Sequence, residues 1–433
     1  MNMLVYTLKA IAYALTNFYF IVLLAILAFV LYRKNSKIVL MQKMIIGEKI
    51  NTTLELTISQ IVIGIFAGTL ASVIMSYLGI TFNNNSSVEL IFLASIVFMF
   101  FNPRFICFSY SGALIGFISI LLNIVSMHFN MSGLDFLKID IVSLMSMVAI
   151  LHFVEGILVV IDGKKGSIPV FTNKSGRIVG GFALQRYWLI PIAIFFILQS
   201  KPDTASYVQL YTPNWWPILK NQITNVNLLK TAVLTLMPFY AVIGYSSVTF
   251  TKNVKEKTFM SGMFIIVYSV LLFVLAQFAN INLFLKLFVI VFAPLAHEGM
   301  IFIQRYIETV GKPKYISSDE GIMVLAVAPN SPANEMGIKS GDLLVEINSQ
   351  KIENEEKITE IARKCSNFIW FKIKRVTGKL EQVSYNKMNE NRRLGIVFVP
   401  RNVPKDSTII KLNKDKFSDV LNKVKNKNKD KDD

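Results

Sequence analysis

The chain contains three histidines, and two of them sit beside a glutamate inside long apolar runs: His152 with Glu155, and His297 with Glu298. Such pairs can hold a metal or move a proton, so their spacing decides the chemistry. A zinc peptidase helix needs two histidines at i and i+4 on one face, with a glutamate beside the first as general base. His297-Glu298-Gly299-Met300-Ile301 supplies the first histidine and the glutamate but puts Ile301 where the second ligand is required. Isoleucine cannot coordinate zinc, and no later apolar run follows to contribute an aspartate. The motif is broken. An intramembrane metalloprotease relative using His297 and Glu298, active or degenerate, stands as the alternative reading.

Residues at i and i+3 share a helix face, so His152 and Glu155 can meet. Both pairs lie about six to nine residues from one end of their runs, roughly 9–14 Å at 1.5 Å per residue. Ionisable groups at that depth are costly and face the protein interior, paired. The two runs are therefore expected to pack together around a polar cluster of His152, Glu155, His297 and Glu298. Hydrogen-bonded glue between helices is the reading the residues favour. A metal or proton-handling site is the other, and nothing in the spacing selects it. No catalytic residue, metal or cofactor is assigned.

The elements that position these residues are apolar. Of 433 residues 53% are hydrophobic, and the mean hydropathy of +0.50 is too high for an ordinary soluble chain. Several runs approach the roughly 20 apolar residues that span a bilayer. Candidate spans cover 11–32, 56–80, 88–102, 105–126, 140–161, 186–199, 229–250, 258–279 and 282–304, with the third and sixth short. The first lacks a small-residue cleavage pattern and reads as retained. The fold class expected is a polytopic α-helical membrane domain of about 7–9 spans over 1–310, followed by a small cytoplasmic α/β domain over 311–402 and a basic, mostly disordered tail over 403–433.

The net charge of +17 divides unevenly. Up to Arg305 there are 21 basic and 10 acidic residues, a net of +11; beyond it 24 and 18, a net of +6. The excess sits mainly in short loops between spans, where it sets orientation, and nucleic-acid binding is a poor fit. Arg33, Lys34, Lys37, Lys43 and Lys49 follow the first span; Lys164, Lys165, Lys174 and Arg177 follow the fifth; Lys252, Lys255 and Lys257 crowd one short loop. The alternation places the N-terminus outside and the C-terminal domain in the cytoplasm. Trp215 and Trp216 are placed like interfacial anchors. The two cysteines, Cys107 and Cys365, lie far apart and imply no disulfide framework.

After the last span the period changes. Gly321–Val327 reads as a strand. Ser331 and Pro332 form an N-cap and first helical residue, Gly337 ends that short helix, and Lys339-Ser340-Gly341-Asp342 is a turn. Leu343–Ile347 is the next strand. Asn354–Cys365 carries Ile358, Ile361, Ala362 and Cys365 on one helical stripe, and Phe368–Arg375 and Leu380–Tyr385 are strands around Thr377-Gly378.

Pro329-Asn330-Ser331-Pro332-Ala333, with Gly337 and Gly341-Asp342, resembles the first half of a bacterial PDZ domain. PDZ domains add an extended peptide to an exposed sheet edge. The resemblance extends to Arg392-Arg393-Leu394-Gly395-Ile396-Val397-Phe398, matching a loop that presents backbone N–H groups to a peptide carboxylate. Its late position in the domain is similar to the order in site-2-protease PDZ domains. The resemblance implies a groove between Leu394–Val399 and Asn354–Cys365, for protein C-termini or internal peptides. Arg392 and Arg393 would add charge attraction; a merely solvated turn is the plainer reading. HtrA-type proteases also carry this module, but the chain has no room for their soluble serine-protease domain. In the tail, Phe417, Val420, Leu421 and Val424 form a helical stripe that could lie on anionic lipid, though a frayed segment fits its composition better.

Two further stretches, Asn102-Pro103-Arg104-Phe105-Ile106-Cys107-Phe108-Ser109-Tyr110-Ser111-Gly112 and Gly180-Gly181-Phe182-Ala183-Leu184-Gln185-Arg186-Tyr187-Trp188-Leu189-Ile190-Pro191, read as a tight cytoplasmic turn and an aromatic-basic approach to a span. With several spans first and one C-terminal PDZ domain last, the whole resembles the MinJ-type cell-division topology proteins of Gram-positive bacteria. The resemblance implies a non-enzymatic scaffold at the bacterial cytoplasmic membrane, septal or polar, that helps place the division site. Its implied partners are a DivIVA-like polar protein, the Min ATPase and divisome membrane proteins. No catalytic residues carry over.

Overall fold

The computed structural model describes residues 2–47, 50–83, 86–101, 103–129, 138–174, 176–198, 212, 215–219, 233–364, 367–386, 388 and 393–401. Its first part is an apolar helical body. Helices α1 (Met3–Thr16), α2 (Phe18–Ile46), α3 (Thr53–Leu78), α4 (Leu90–Phe101), α5 (Phe108–Phe129) and α6 (Ile141–Asp162) are followed, after three strands, by α7 (Val254–Gln277) and α8 (Leu283–Val310). Six of these, α2, α3, α5, α6, α7 and α8, are long and apolar enough to cross a membrane. Asparagine, threonine or aspartate side chains cap the starts: Thr52 with Glu55 and Asn253 with Glu256 form capping boxes, and Asp140 accepts from the Ser143 N–H.

Helix α6 is the centre of the body and is buried almost throughout. It crosses α7 where two glycines meet. A Cβ at Gly156 would lie 2.9 Å from the Gly262 carbonyl oxygen, and one at Gly262 would lie 2.7 Å from that of Gly156. Small residues let the two backbones approach, which is how apolar helices associate when lipid is no worse a neighbour than leucine.

Two of the nine expected spans are not helices. Residues 186–199 fall largely within β3 (Arg177–Leu198) and 229–250 largely within β4 (Val233–Thr249), two long strands paired antiparallel from Phe182↔Thr249 to Leu198↔Val233. Strand β2 (Ile168–Lys174) pairs with the start of β3, and β1 (Thr81–Asn83) runs parallel to its end. Hydropathy reports burial, not backbone geometry. Ile190, Ile192, Ile194, Phe195, Phe196 and Ile197 are β-branched or aromatic, and Pro191 and Pro238 stand where a helix interior would be broken. A third expected span, 88–102, contains only the twelve-residue α4, too short to cross a bilayer.

Helix α3 covers the middle of β3. A Cβ at Gly64 or Gly68 would fall 2.0 Å from the carbonyl oxygen of Leu189 or Pro191, so only glycine allows the contact. Ser72 Oγ accepts from the Ala193 N–H at 2.8 Å. Helix, sheet partners and serine together supply polar partners to a strand inside an apolar body.

At one end of the body the hairpin base, the C-termini of α2, α6 and α8, and the C-terminal domain come together. Asp162 is fully buried there with Arg186, which lies in β3 and not at a span boundary as expected. Trp188 Nε1 donates to Asp162 Oδ2 at 2.9 Å and Lys165 Nζ stands 3.0 Å from Oδ1. Lys257 meets Glu308 at 3.2 Å, and Glu308 also accepts from the Phe250 and Thr251 N–H groups.

The C-terminal domain has the sheet order β10-β5-β6-β8-β9, with β7 on β6. Its elements are β5 (Ile322–Val327), α9 (Pro332–Glu335), β6 (Leu343–Ile347), β7 (Gln350–Lys351), α10 (Glu355–Lys364), β8 (Ile369–Lys374), β9 (Leu380–Tyr385) and β10 (Ile396–Val399). Ser331 caps α9 with Pro332 first, and Gly337 adopts φ +73° where that turn ends. Asp342 of the Gly341-Asp342 turn is buried and takes Arg375 Nη1 at 2.6 Å and the Lys339 N–H at 2.8 Å, tying the turn to the end of β8. The domain docks on the body: the Gly180 N–H donates to Tyr315 O at 2.9 Å, and Ile46, Ile178, Phe182, Leu325, Val397 and Val399 share one apolar cluster.

Candidate functional site

The first candidate site lies on the C-terminal domain. Strand β10 ends the sheet order and pairs only with β5 among the described strands. Between β10 and α10 opens a groove of about 490 Å³, lined by Glu355, Glu356, Thr359, Glu360, Lys364 and Phe398. Gly395 adopts φ +73° and lies so close to Ser331 that a Cβ would fall 2.3 Å from the serine Cβ. The carbonyls of Leu394 and Gly395 accept from the N–H groups of Ala333 and Ala328. That pins the loop before β10 against the start of α9.

The residues expected around this groove divide. Ile358 and Ala362 face the domain core and Ile361 packs against it, because α10 needs its apolar stripe to cover the sheet. Residues one position away, Thr359 and Glu360, take the open side. Leu394 is buried in the same core and Ile396 packs on it, whereas Val397 points into the cluster shared with the helical body. Arg393 is exposed, and its guanidinium lies against Gly47, where α2 ends. Arg392 lies outside the described residues. The rim therefore carries three glutamates and one lysine from α10. The hydrogen bond from Lys364 at 2.6 Å holds the Glu360 carboxyl below its usual range.

The second candidate site is inside the helical body. His152 on α6 and His297 on α8 stand with ring centroids 5.7 Å apart, both buried. Glu155 Oε2 is 3.9 Å from His152 Nε2, and Glu298 accepts from Tyr110 Oη. The two runs thus meet around the four residues read from the sequence. Cys107 joins them, with Sγ 2.9 Å from His152 Nε2 and 3.5 Å from His297 Nε2. The turn Pro103–Ile106 delivers it beside the middle of α6, not at the end that meets the C-terminal domain. Ser109, Tyr110 and Tyr268 complete the ring of polar contacts. No spacing rule points to these four, since they come from a turn and two further helices; only the polar run Cys107-Phe108-Ser109-Tyr110 in an apolar setting could have marked most of them.

A sheet edge facing a helix, with a Ser-Pro helix start and a pinned Leu-Gly loop, defines a PDZ domain, here carried by an apolar helical body. The PDZ domain family matches residues 323–367. Over 107 residues the chain is 29% identical to the cell division topological determinant MinJ of Bacillus subtilis (strain 168), a stretch covering 23% of this chain and 26% of that protein. The match spans about a quarter of the relative's length. The combination fits a MinJ-type protein with a PDZ domain.

Proposed function

We propose that the protein is a non-enzymatic, multi-pass membrane scaffold that captures protein partners in the groove between β10 and α10 and acts in division-site placement. The observation that carries this reading is the edge strand beside an open groove, in a chain similar to a division topology determinant. A strand edge left open is a template for an added strand. The acidic rim of Glu355, Glu356 and Glu360 favours peptides bearing lysine or arginine, among the free C-termini and internal segments expected as ligands.

Orientation follows from charge. Lys43, Lys165, Lys174, Arg177 and Lys252 cluster at the end of the body that meets the PDZ domain, and basic residues collect on the cytoplasmic side. The groove then faces cytoplasmic proteins, with a DivIVA-like polar protein, the Min ATPase and divisome membrane proteins as the partners in the family reading. A fluorescent fusion tests the proposal in growing cells. Enrichment at septa or poles, lost on Thr359→Arg in the groove, is expected. A uniform membrane signal in both proteins overturns it.

A further inference from the structure

From the convergence of Cys107 Sγ, His152 Nε2 and His297 Nε2 inside the helical body, we infer a binding site for a divalent transition-metal ion of the zinc type. The site is independent of the PDZ groove and stands or falls without it. The three donor atoms all lie within 4.8 Å of one another, and the two histidines are 1% and 7% exposed. Ligands on a tetrahedral zinc, with Zn–S about 2.3 Å and Zn–N about 2.0 Å, sit roughly 3.3–3.6 Å apart. The Cys107 Sγ–His297 Nε2 distance of 3.5 Å matches that spacing, and Cys107 Sγ–His152 Nε2, at 2.9 Å, is shorter than it.

The hydrogen bonds around the rings prepare both Nε2 atoms as donors of a lone pair. His152 Nδ1 lies 2.7 Å from the Val148 carbonyl, which can only accept, so Nδ1 carries the proton and Nε2 is bare. His297 Nδ1 faces Tyr110 Oη at 3.5 Å, whose own proton goes to Glu298, so this ring too offers Nε2. Metal-bound histidines are oriented by this kind of partner on the other ring nitrogen. Around the three donors, Ser109 Oγ lies 3.1 Å from His152 Nε2 and 2.7 Å from Tyr268 Oη, so His152 Nε2 faces a hydroxyl as well as the thiol. A cation satisfies all three donors at once.

Thiolate and imidazole together select a borderline-soft ion such as Zn²⁺ over calcium or magnesium. Cys107 binds as thiolate, so loading forms one S–Zn and two N–Zn bonds and releases the thiol proton to solvent. The three mutually close donors leave a fourth position for a water, with the Glu155 carboxylate 3.9 Å from His152 Nε2 nearby. Such a site ties the turn before α5 to α6 and α8. The second imidazole, which His297-Glu298-Gly299-Met300-Ile301 does not supply on its own helix, comes here from His152 on α6.

The test is metal analysis of the full-length protein purified in detergent from zinc-supplemented cells, without an affinity metal column. About one zinc per chain is expected, falling at least tenfold in Cys107→Ser and in His297→Ala. Zinc below a tenth per chain that stays there after equilibration with Zn²⁺, or equal zinc in wild type and both variants, overturns the site. Should the variants fail to fold, Co²⁺ exchange into the wild type decides. A thiolate-to-cobalt charge-transfer band supports ligation by Cys107, and a spectrum of hexa-aqua cobalt alone overturns it.

Discussion

The PDZ domain and the helical body are built from opposite materials. In the domain, the candidate site is built from backbone: an edge strand that pairs only with β5 among the described strands, a pinned loop and a groove open to solvent. In the body, the polar groups are side chains from elements distant in sequence, buried or partly buried among apolar neighbours. Substitution of most surface residues is expected to leave the backbone of the first arrangement in place. In the second, a buried polar group that loses its partner finds no water to replace it.

That contrast predicts a steep ordering of mutational effects. The largest belongs to the Asp162–Arg186 pair, both members fully buried. Asp162→Ala strands Arg186 without its carboxylate and should cost about 3–5 kcal/mol. Thermal unfolding of the detergent-solubilised protein, followed through the helical signal, measures it; an unchanged midpoint would erase the contrast. Arg375→Ala in the PDZ domain removes hydrogen bonds to Asp342, Glu381 and the Gly337 carbonyl. It should cost about 1.5–3 kcal/mol, less because water can reach the site. Chemical denaturation followed by the signal of Trp370 on β8 checks it.

Ser331→Ala deletes the side-chain acceptor that caps the short α9 and should cost about 1 kcal/mol in the same assay. Acidification should produce the smallest effect. Arg375 and then Lys379 hold the Glu381 carboxyl below its usual range, and Lys364 does the same for Glu360. A depressed carboxylate contributes stability above its unfolded pKa and loses it as pH falls through the folded value. The domain should weaken slightly below the ordinary carboxylate range, and Glu360→Gln should shrink the change. Stability that rises on acidification would reverse the sign and refute this account of the rim.

The two regions also differed in how far the sequence disclosed them. The PDZ strands and turns are legible because each is local: Ser331-Pro332, Gly337 and Thr377-Gly378 mark turns by residue type alone. The face of α10 was half legible, since its stripe names the core side, Ile358 and Ala362, and the groove takes the complementary residues. In the body, the apolar runs are plain but their backbone is not. Residues 186–199 and 229–250 are as hydrophobic as spans, and only Pro191, Pro238 and the β-branched content hinted at strands. His152 and His297 announced themselves as rare polar residues in apolar runs. Cys107 did not, because a cysteine is at home in an apolar segment and its meeting with both histidines is a tertiary event.

The central claim is that the groove between β10 and α10 takes a peptide while the helical body holds it at the membrane. Panning a phage-displayed library of random peptides against the full-length protein in nanodiscs tests it most directly, with Thr359→Arg as the comparison. Thr359 is exposed on the groove wall, so arginine there fills the groove and reverses part of its acidic charge without touching the core. The account predicts enrichment of peptides bearing lysine or arginine, with affinity at least tenfold weaker for Thr359→Arg. No enrichment over empty nanodiscs, or equal binding to both proteins, would contradict it.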